Sequence, residues 1–96
     1  MEERFTLPTG DGHVIYGTHN WDKEHADSAI IFVHGLTGSQ KEHHYFNAAW
    51  FFPAQGFDTI RFDQYSSKQD GRQLSDCAIS THARDVETVI NRFAPE

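Results

Sequence analysis

The run His34-Gly35-Leu36-Thr37-Gly38-Ser39 combines residue types from which backbone-assisted chemistry is built. An imidazole comes first, then two glycines that let the main chain turn sharply and approach a bound group. Two hydroxyl side chains complete it. The run follows the apolar stretch Ile30-Ile31-Phe32-Val33, so a buried element ends where a permissive loop begins. Two chemistries use such a loop. Phosphate binding by a P-loop requires four residues between the first glycine and a Gly-Lys-Ser/Thr, whereas only Leu36 and Thr37 separate Gly35 from Gly38, and Lys41 follows Gln40. The dinucleotide pattern G-x-G-x-x-G is also absent. The second chemistry is an oxyanion hole, in which a backbone N–H points at the oxygen that becomes negative as an acyl group is attacked. The H-G-x-x-G shape suits it better, and a small phosphate-binding domain using Gly35 to Ser39 stands as the weaker alternative.

Other reactive side chains form no pattern. His43 and His44 are neighbours, and adjacent side chains on a helix do not converge on one metal. His13, His19, His25 and His82 fall in separate segments, so the sequence predicts no metal and no other cofactor. Cys77 lies near His82 and Asp85 but has no activating surroundings, and reads as a small, partly buried residue before a helix. The aromatic cluster Tyr45, Phe46, Trp50, Phe51 and Phe52 reads first as core packing and second as one wall of an acyl pocket.

The positioning elements follow from periodicity. Phe5 and Leu7 alternate with polar neighbours, then come Gly10-Asp11-Gly12 and the stretch from His13 to Trp21, which together predict an antiparallel hairpin. Ser28 to Val33 is apolar without alternation and predicts a strand covered on both faces, as in a parallel sheet. A helix is expected from about His43 to Gln55, with Phe46, Ala49 and Trp50 on its apolar face, Pro53 disturbing its last turn and Gly56 ending it. Phe57 to Asp63 predicts a second apolar strand. Ile79, Ala83, Val86, Val89, Ile90 and Phe93 follow a 3.6-residue period and predict a second helix, with Ser80 or Thr81 as its cap and Asp85 and Glu87 early, as the helix dipole favours. The order hairpin, strand, helix, strand, helix is that of an α/β layer with right-handed crossovers. The loop at His34 then lies at the C-terminal end of a parallel strand, where open α/β sheets bind ligands.

Composition narrows the partners. The 96 residues suffice for one small domain, and a 38% apolar share with 14% aromatic residues argues for a folded chain. A net charge of −6 without a basic cluster excludes a nucleic-acid or anionic-lipid footprint. No stretch reaches the roughly 20 apolar residues of a membrane span, the first residues lack the basic start of a signal peptide, and the single cysteine fits a reducing compartment. A cytoplasmic protein is expected.

On these residues the sequence resembles the N-terminal part of an α/β-hydrolase, especially the esterase-like, lysophospholipase-like and serine-aminopeptidase-like members. The features are the hairpin, a strand ending in Phe32-Val33-His34-Gly35-Leu36-Thr37-Gly38-Ser39, a helix, the strand Gly56-Phe57-Asp58-Thr59-Ile60-Arg61-Phe62-Asp63, and a helix through Asp85-Val86. The resemblance implies that Leu36 gives its backbone N–H to the oxyanion hole, a catalytic role. It implies that His34, Gly35, Thr37 and Gly38 are the substrate-binding residues around it, with His34 holding the loop by packing and hydrogen bonding rather than acting as a base. Many relatives carry Asp-x-Arg-Gly-x-Gly-x-Ser after the second strand, where this chain has Asp63-Gln64-Tyr65-Ser66-Ser67-Lys68-Gln69-Asp70-Gly71. The family's nucleophile sits on a G-x-S-x-G elbow after the next strand, and no serine between Met1 and Glu96 has that setting. Residues 1–96 are therefore expected to be a single partial α/β-hydrolase domain, ending before the elbow and inactive alone. In a complete protein it would serve acyl transfer on a small-molecule ester, thioester or amide. The rival expectation is a non-catalytic module, truncated or one half of a split protein, that self-associates or pairs with a complementary chain. In the family's sheet the Ala29–Val33 strand has a second neighbour beyond Glu96, so here its edge should be open.

Overall fold

The computed structural model describes residues 1–35, 38–66 and 68–93. Strands β1 (Glu2–Pro8), β2 (Val14–Asn20), β3 (Ala29–Val33) and β4 (Asp58–Phe62) form one sheet in the order β1-β2-β4-β3. Helices α1 (His43–Ala54) and α2 (Ile79–Phe93) follow β3 and β4 respectively. β1 and β2 make the expected hairpin, β2 runs antiparallel to β4, and β3 runs parallel to β4 with Ala29 opposite Asp58 and Val33 opposite Phe62. The hairpin followed by parallel strands with a helix after each is the α/β layer expected from the sequence. No helix among the described residues is long and apolar enough to cross a membrane.

Strand alternation divides the sheet into two unlike faces. Leu7, Ile15, Ile60 and Phe62 form the core with Val89 of α2, and Phe5, Ile31, Val86 and Phe93 pack against it. Ile60, Phe62 and Val89 are wholly buried, and each such side chain contributes about 1.5 to 3 kcal/mol. The other face carries Thr18, Thr59 and Arg61, all buried and polar, with Phe32 meeting Tyr45 and Phe52 of α1. Arg61 is accommodated there by stacking on Phe46 at 4.5 Å and by an ion pair with Glu2 at 3.3 Å.

Three expectations change. β4, not β3, is the strand buried along its whole length; β3 has β4 as its one paired neighbour among the described residues, and Ala29 and Val33 are exposed. A strand with one neighbour keeps one row of backbone groups and its flanking side chains uncovered. On α1, Tyr45, Ala49 and Pro53 face inward, while Phe46 is 42% and Trp50 83% exposed. The helix is apolar nearly all round, and contact with Phe32 on β3 selects the buried side. On α2, Ile79, expected on the apolar face, is exposed, and Asp85, read as an early charge suited to the helix dipole, is buried. Ser80 is not its cap: the Thr81 hydroxyl accepts from the Ala78 N–H at 2.8 Å, ahead of the first turn.

Pro53 sits inside α1 without ending it, and termination falls to Gly56, as expected. With φ at +91°, Gly56 takes the left-handed conformation; its N–H donates to Pro53 and that of Phe57 to Phe52, the two bonds of a Schellman end. That turn aims the chain directly into β4.

Candidate functional site

His34 and Gly35 leave the C-terminal end of β3 beside Asp63 and Gln64, which leave the same end of β4. His34 is buried, and its ring bonds only to main-chain groups. The Gln64 N–H donates to Nε2 at 2.9 Å, so the ring proton is on Nδ1, which donates to the Gly35 carbonyl at 2.8 Å. The Gln64 side chain in turn donates to the His34 carbonyl, and the Tyr65 ring meets the imidazole edge-on. With both ring nitrogens used, His34 fixes the backbone and has no lone pair free for a substrate.

The far side of the loop is held as closely. The Gly38 N–H donates to the Gly35 carbonyl at 3.0 Å, and a side chain on Gly38 would run into the Glu42 carboxylate with Gly35 O only 3.1 Å away. Gln40, buried, donates from its backbone N–H and its side-chain amide to the two oxygens of Asp63 at 3.0 and 2.9 Å. Its side-chain oxygen accepts from the Thr18 hydroxyl at 2.8 Å. The loop is therefore pinned to β2 and β4 as well as to β3. The Ser39 N–H is taken by Glu42 at 3.3 Å and the Gly38 N–H by the Gly35 carbonyl, so two amides that would cradle a phosphate are already in use, and the Glu42 carboxylate would repel one. The phosphate-binding alternative is left with fewer donors among the described residues of its loop. Leu36 and Thr37 lie outside the described residues.

No protein-family model matches this sequence, and no curated protein does. Solved structures do match. The chain is similar to alpha/beta hydrolase GrgF from Penicillium sp. sh18, with TM-score 0.81 and 14% identity over 99% of this chain and 33% of that one. It is similar to alpha/beta hydrolase domain-containing protein 10 from mouse, with TM-score 0.77 and 19% identity over 97% of this chain and 36% of that one. A third is an a/b serine hydrolase without lid from Xanthomonas campestris, with TM-score 0.70 and 17% identity over 95% of this chain and 43% of that one. The fold is that of the α/β-hydrolases. The chain spans 33% to 43% of the length of these three structures.

The segment after β4 is anchored by charge. Arg72 grips Asp85 of α2 through Nε at 2.8 Å and Nη2 at 2.9 Å, and reaches Asp11 of the β1–β2 turn at 2.8 Å. Arg72 and Asp85 are buried. The hydrogen bonds to Asp85 and Asp11 raise the Arg72 pKa above its already high value, and those from Arg72 and then Thr9 hold the Asp11 carboxyl well below the usual carboxylate range. This cluster fixes α2 against the hairpin, and its side-chain hydrogen bonds run between Arg72, Asp85 and Asp11, away from the described loop residues 34, 35 and 38–40. Cys77 is half-buried; burial pushes its thiol pKa up, the opposite of what a nucleophilic cysteine requires.

Sequence reasoning missed a second gathering of reactive groups. His19 at the end of β2 and His25 in the following connection, treated above as scattered, both meet Asp58 at the start of β4. A cavity of about 720 Å³ opens beside them, lined also by Phe5, Ile31, Ile90 and Phe93, at the opposite end of β3 and β4 from the His34 loop. The separation of 39 residues between His19 and Asp58 hides this meeting from any local pattern.

Proposed function

We propose that residues 1–96 supply the oxyanion side of a serine hydrolase acting on an ester, thioester or amide by acyl transfer, as one partial domain whose nucleophile, acid and base come from sequence beyond them. The observation that carries this reading is the His34 loop at the C-terminal end of a parallel strand, with both imidazole nitrogens committed to main-chain groups. A loop anchored on both sides supports a backbone donor held in a fixed direction, which is the requirement for stabilising a developing oxyanion. Leu36 provides the catalytic N–H, and Gly35, Thr37 and Gly38 shape the surface met by the acyl group, with His34 behind them. A reducing, cytoplasmic setting belongs to the same reading and is supported by the single cysteine.

The test uses a chain in which residues 1–96 are followed by a G-x-S-x-G elbow. Leu36→Pro removes the N–H, Leu36→Ala keeps it, and one lost oxyanion donor costs about 2.7 to 4 kcal/mol in the transition state. Turnover of p-nitrophenyl esters should fall about 10²- to 10³-fold in the first variant and stay close to the parent in the second. Equal rates in two folded variants would remove Leu36 from the mechanism. Residues 1–96 alone should hydrolyse nothing, and no serine in them should react with a fluorophosphonate.

A second reading rests on the edge of β3. With β4 its one paired neighbour among the described residues and Val33 exposed, this strand offers a free row of backbone groups to another chain. As a split-protein module, the chain would act by completing its sheet with a second polypeptide or a second copy.

A further inference from the structure

We propose that His19, His25 and Asp58 form a binding site for a divalent transition-metal ion of the zinc type, which clamps the connection between β2 and β3 onto the start of β4. Their donor atoms lie within 4.8 Å of one another. Asp58 Oδ2 stands 2.8 Å from His19 Nε2 and 2.9 Å from His25 Nδ1. Ligands bound to tetrahedral zinc at about 2.0 to 2.2 Å sit roughly 3.3 Å apart, so the two imidazoles need to part from the carboxylate by only about half an ångström. His25, whose side chain is 59% exposed, has the freedom to make that shift.

The surroundings hold the carboxylate by a hydrogen bond and the imidazoles by ring contacts. The Ala26 N–H donates to Asp58 Oδ1 at 2.9 Å, which holds the carboxylate and turns Oδ2 toward the imidazoles. The Trp21 ring lies 4.5 Å from that of His25, and Phe93 of α2 meets His19 at 4.9 Å. The adjoining cavity leaves a fourth coordination position for water or a small anionic ligand. Two neutral imidazoles and one carboxylate favour zinc, cobalt or nickel over calcium or magnesium, which take oxygen donors.

The experiment separates a metal site from a knot of hydrogen bonds. The 96-residue chain is titrated with Zn²⁺ by calorimetry and with Co²⁺ by visible absorption, alongside His25→Ala, His25→Gln and, as control, His44→Ala. The expected result is one ion per chain, a cobalt spectrum with nitrogen and oxygen ligands, and a zinc-dependent rise in the thermal midpoint. Both His25 variants should bind at least about ten-fold more weakly, whereas His44→Ala should match the parent. His25→Gln can still hydrogen-bond to Asp58, so it serves where His25→Ala does not fold. Absence of saturable binding in the parent, or parental affinity in a folded His25 variant, would overturn the site.

Discussion

The backbone N–H of Gln64 donates to Nε2 of His34 at 2.9 Å, and this bond joins the C-terminal ends of the two parallel strands. The Gln64 side chain returns a bond to the His34 carbonyl, so each residue satisfies a buried group of the other. Gln64→Leu keeps the volume and leaves that carbonyl unpaired, at a cost of about 1 to 3 kcal/mol. Urea unfolding should show this as a lower midpoint with an unchanged slope. No change would mean that the carbonyl finds another donor.

The pair Arg72 and Asp85 makes a sharper prediction. Arg72→Leu strands the buried carboxylate of Asp85 and should destabilise the chain by about 3 to 5 kcal/mol, whereas the double change Arg72→Met with Asp85→Leu should cost much less. Thermal denaturation of the two variants decides it. A double variant as unstable as the single one would show that the charges, and not their mutual satisfaction, hold α2 in place.

Asp11 gives the pH dependence. Its hydrogen bonds from Arg72 and then Thr9 lower its folded pKa below the ordinary value of 3.8. A depressed carboxylate contributes stability that is fully present above its unfolded pKa and is lost as the pH falls through the folded one. The parent should therefore be more stable than Asp11→Asn at neutral pH, and the gap should close only in strong acid. A gap independent of pH would assign the effect to shape rather than charge.

How much of this was legible in the sequence depends on the range of the interaction. The hairpin, both helices and the Gly56 terminus are local, and residues a few positions apart specify them. The choice of Tyr45 over Phe46 and Trp50 for the inward face of α1 is not local, because the helix is apolar on several sides and the decision comes from Phe32 on β3. Asp85 reads from the sequence as an early charge favoured by the helix dipole, and its buried role depends on Arg72 from the loop before the helix. His19, His25 and Asp58 required the strand register itself, which sets His19 opposite Ile60 and Asp58 opposite Ala29.

The same register leaves β3 at the rim of the sheet, and association is the last prediction. Ala29–Val33 has no charged residue, and its outer row of N–H and C=O groups has no strand beside it among the described residues. The exposed Trp50 and Phe51 of α1 add apolar surface that water covers poorly. Chains should therefore pair through β3, and Val33→Lys should reverse the pairing, since a lysine on an edge strand opposes the approach of a second edge. Val33 is 45% exposed, so this substitution tests association with less damage to the core than Ile31→Lys, which would place a charge against the core cluster. Sedimentation across a concentration series should show dimers or larger species for the parent and monomer for Val33→Lys. A parent chain that stays monomeric into the high micromolar range would mean that the edge is protected, and the split-module reading would fall with it.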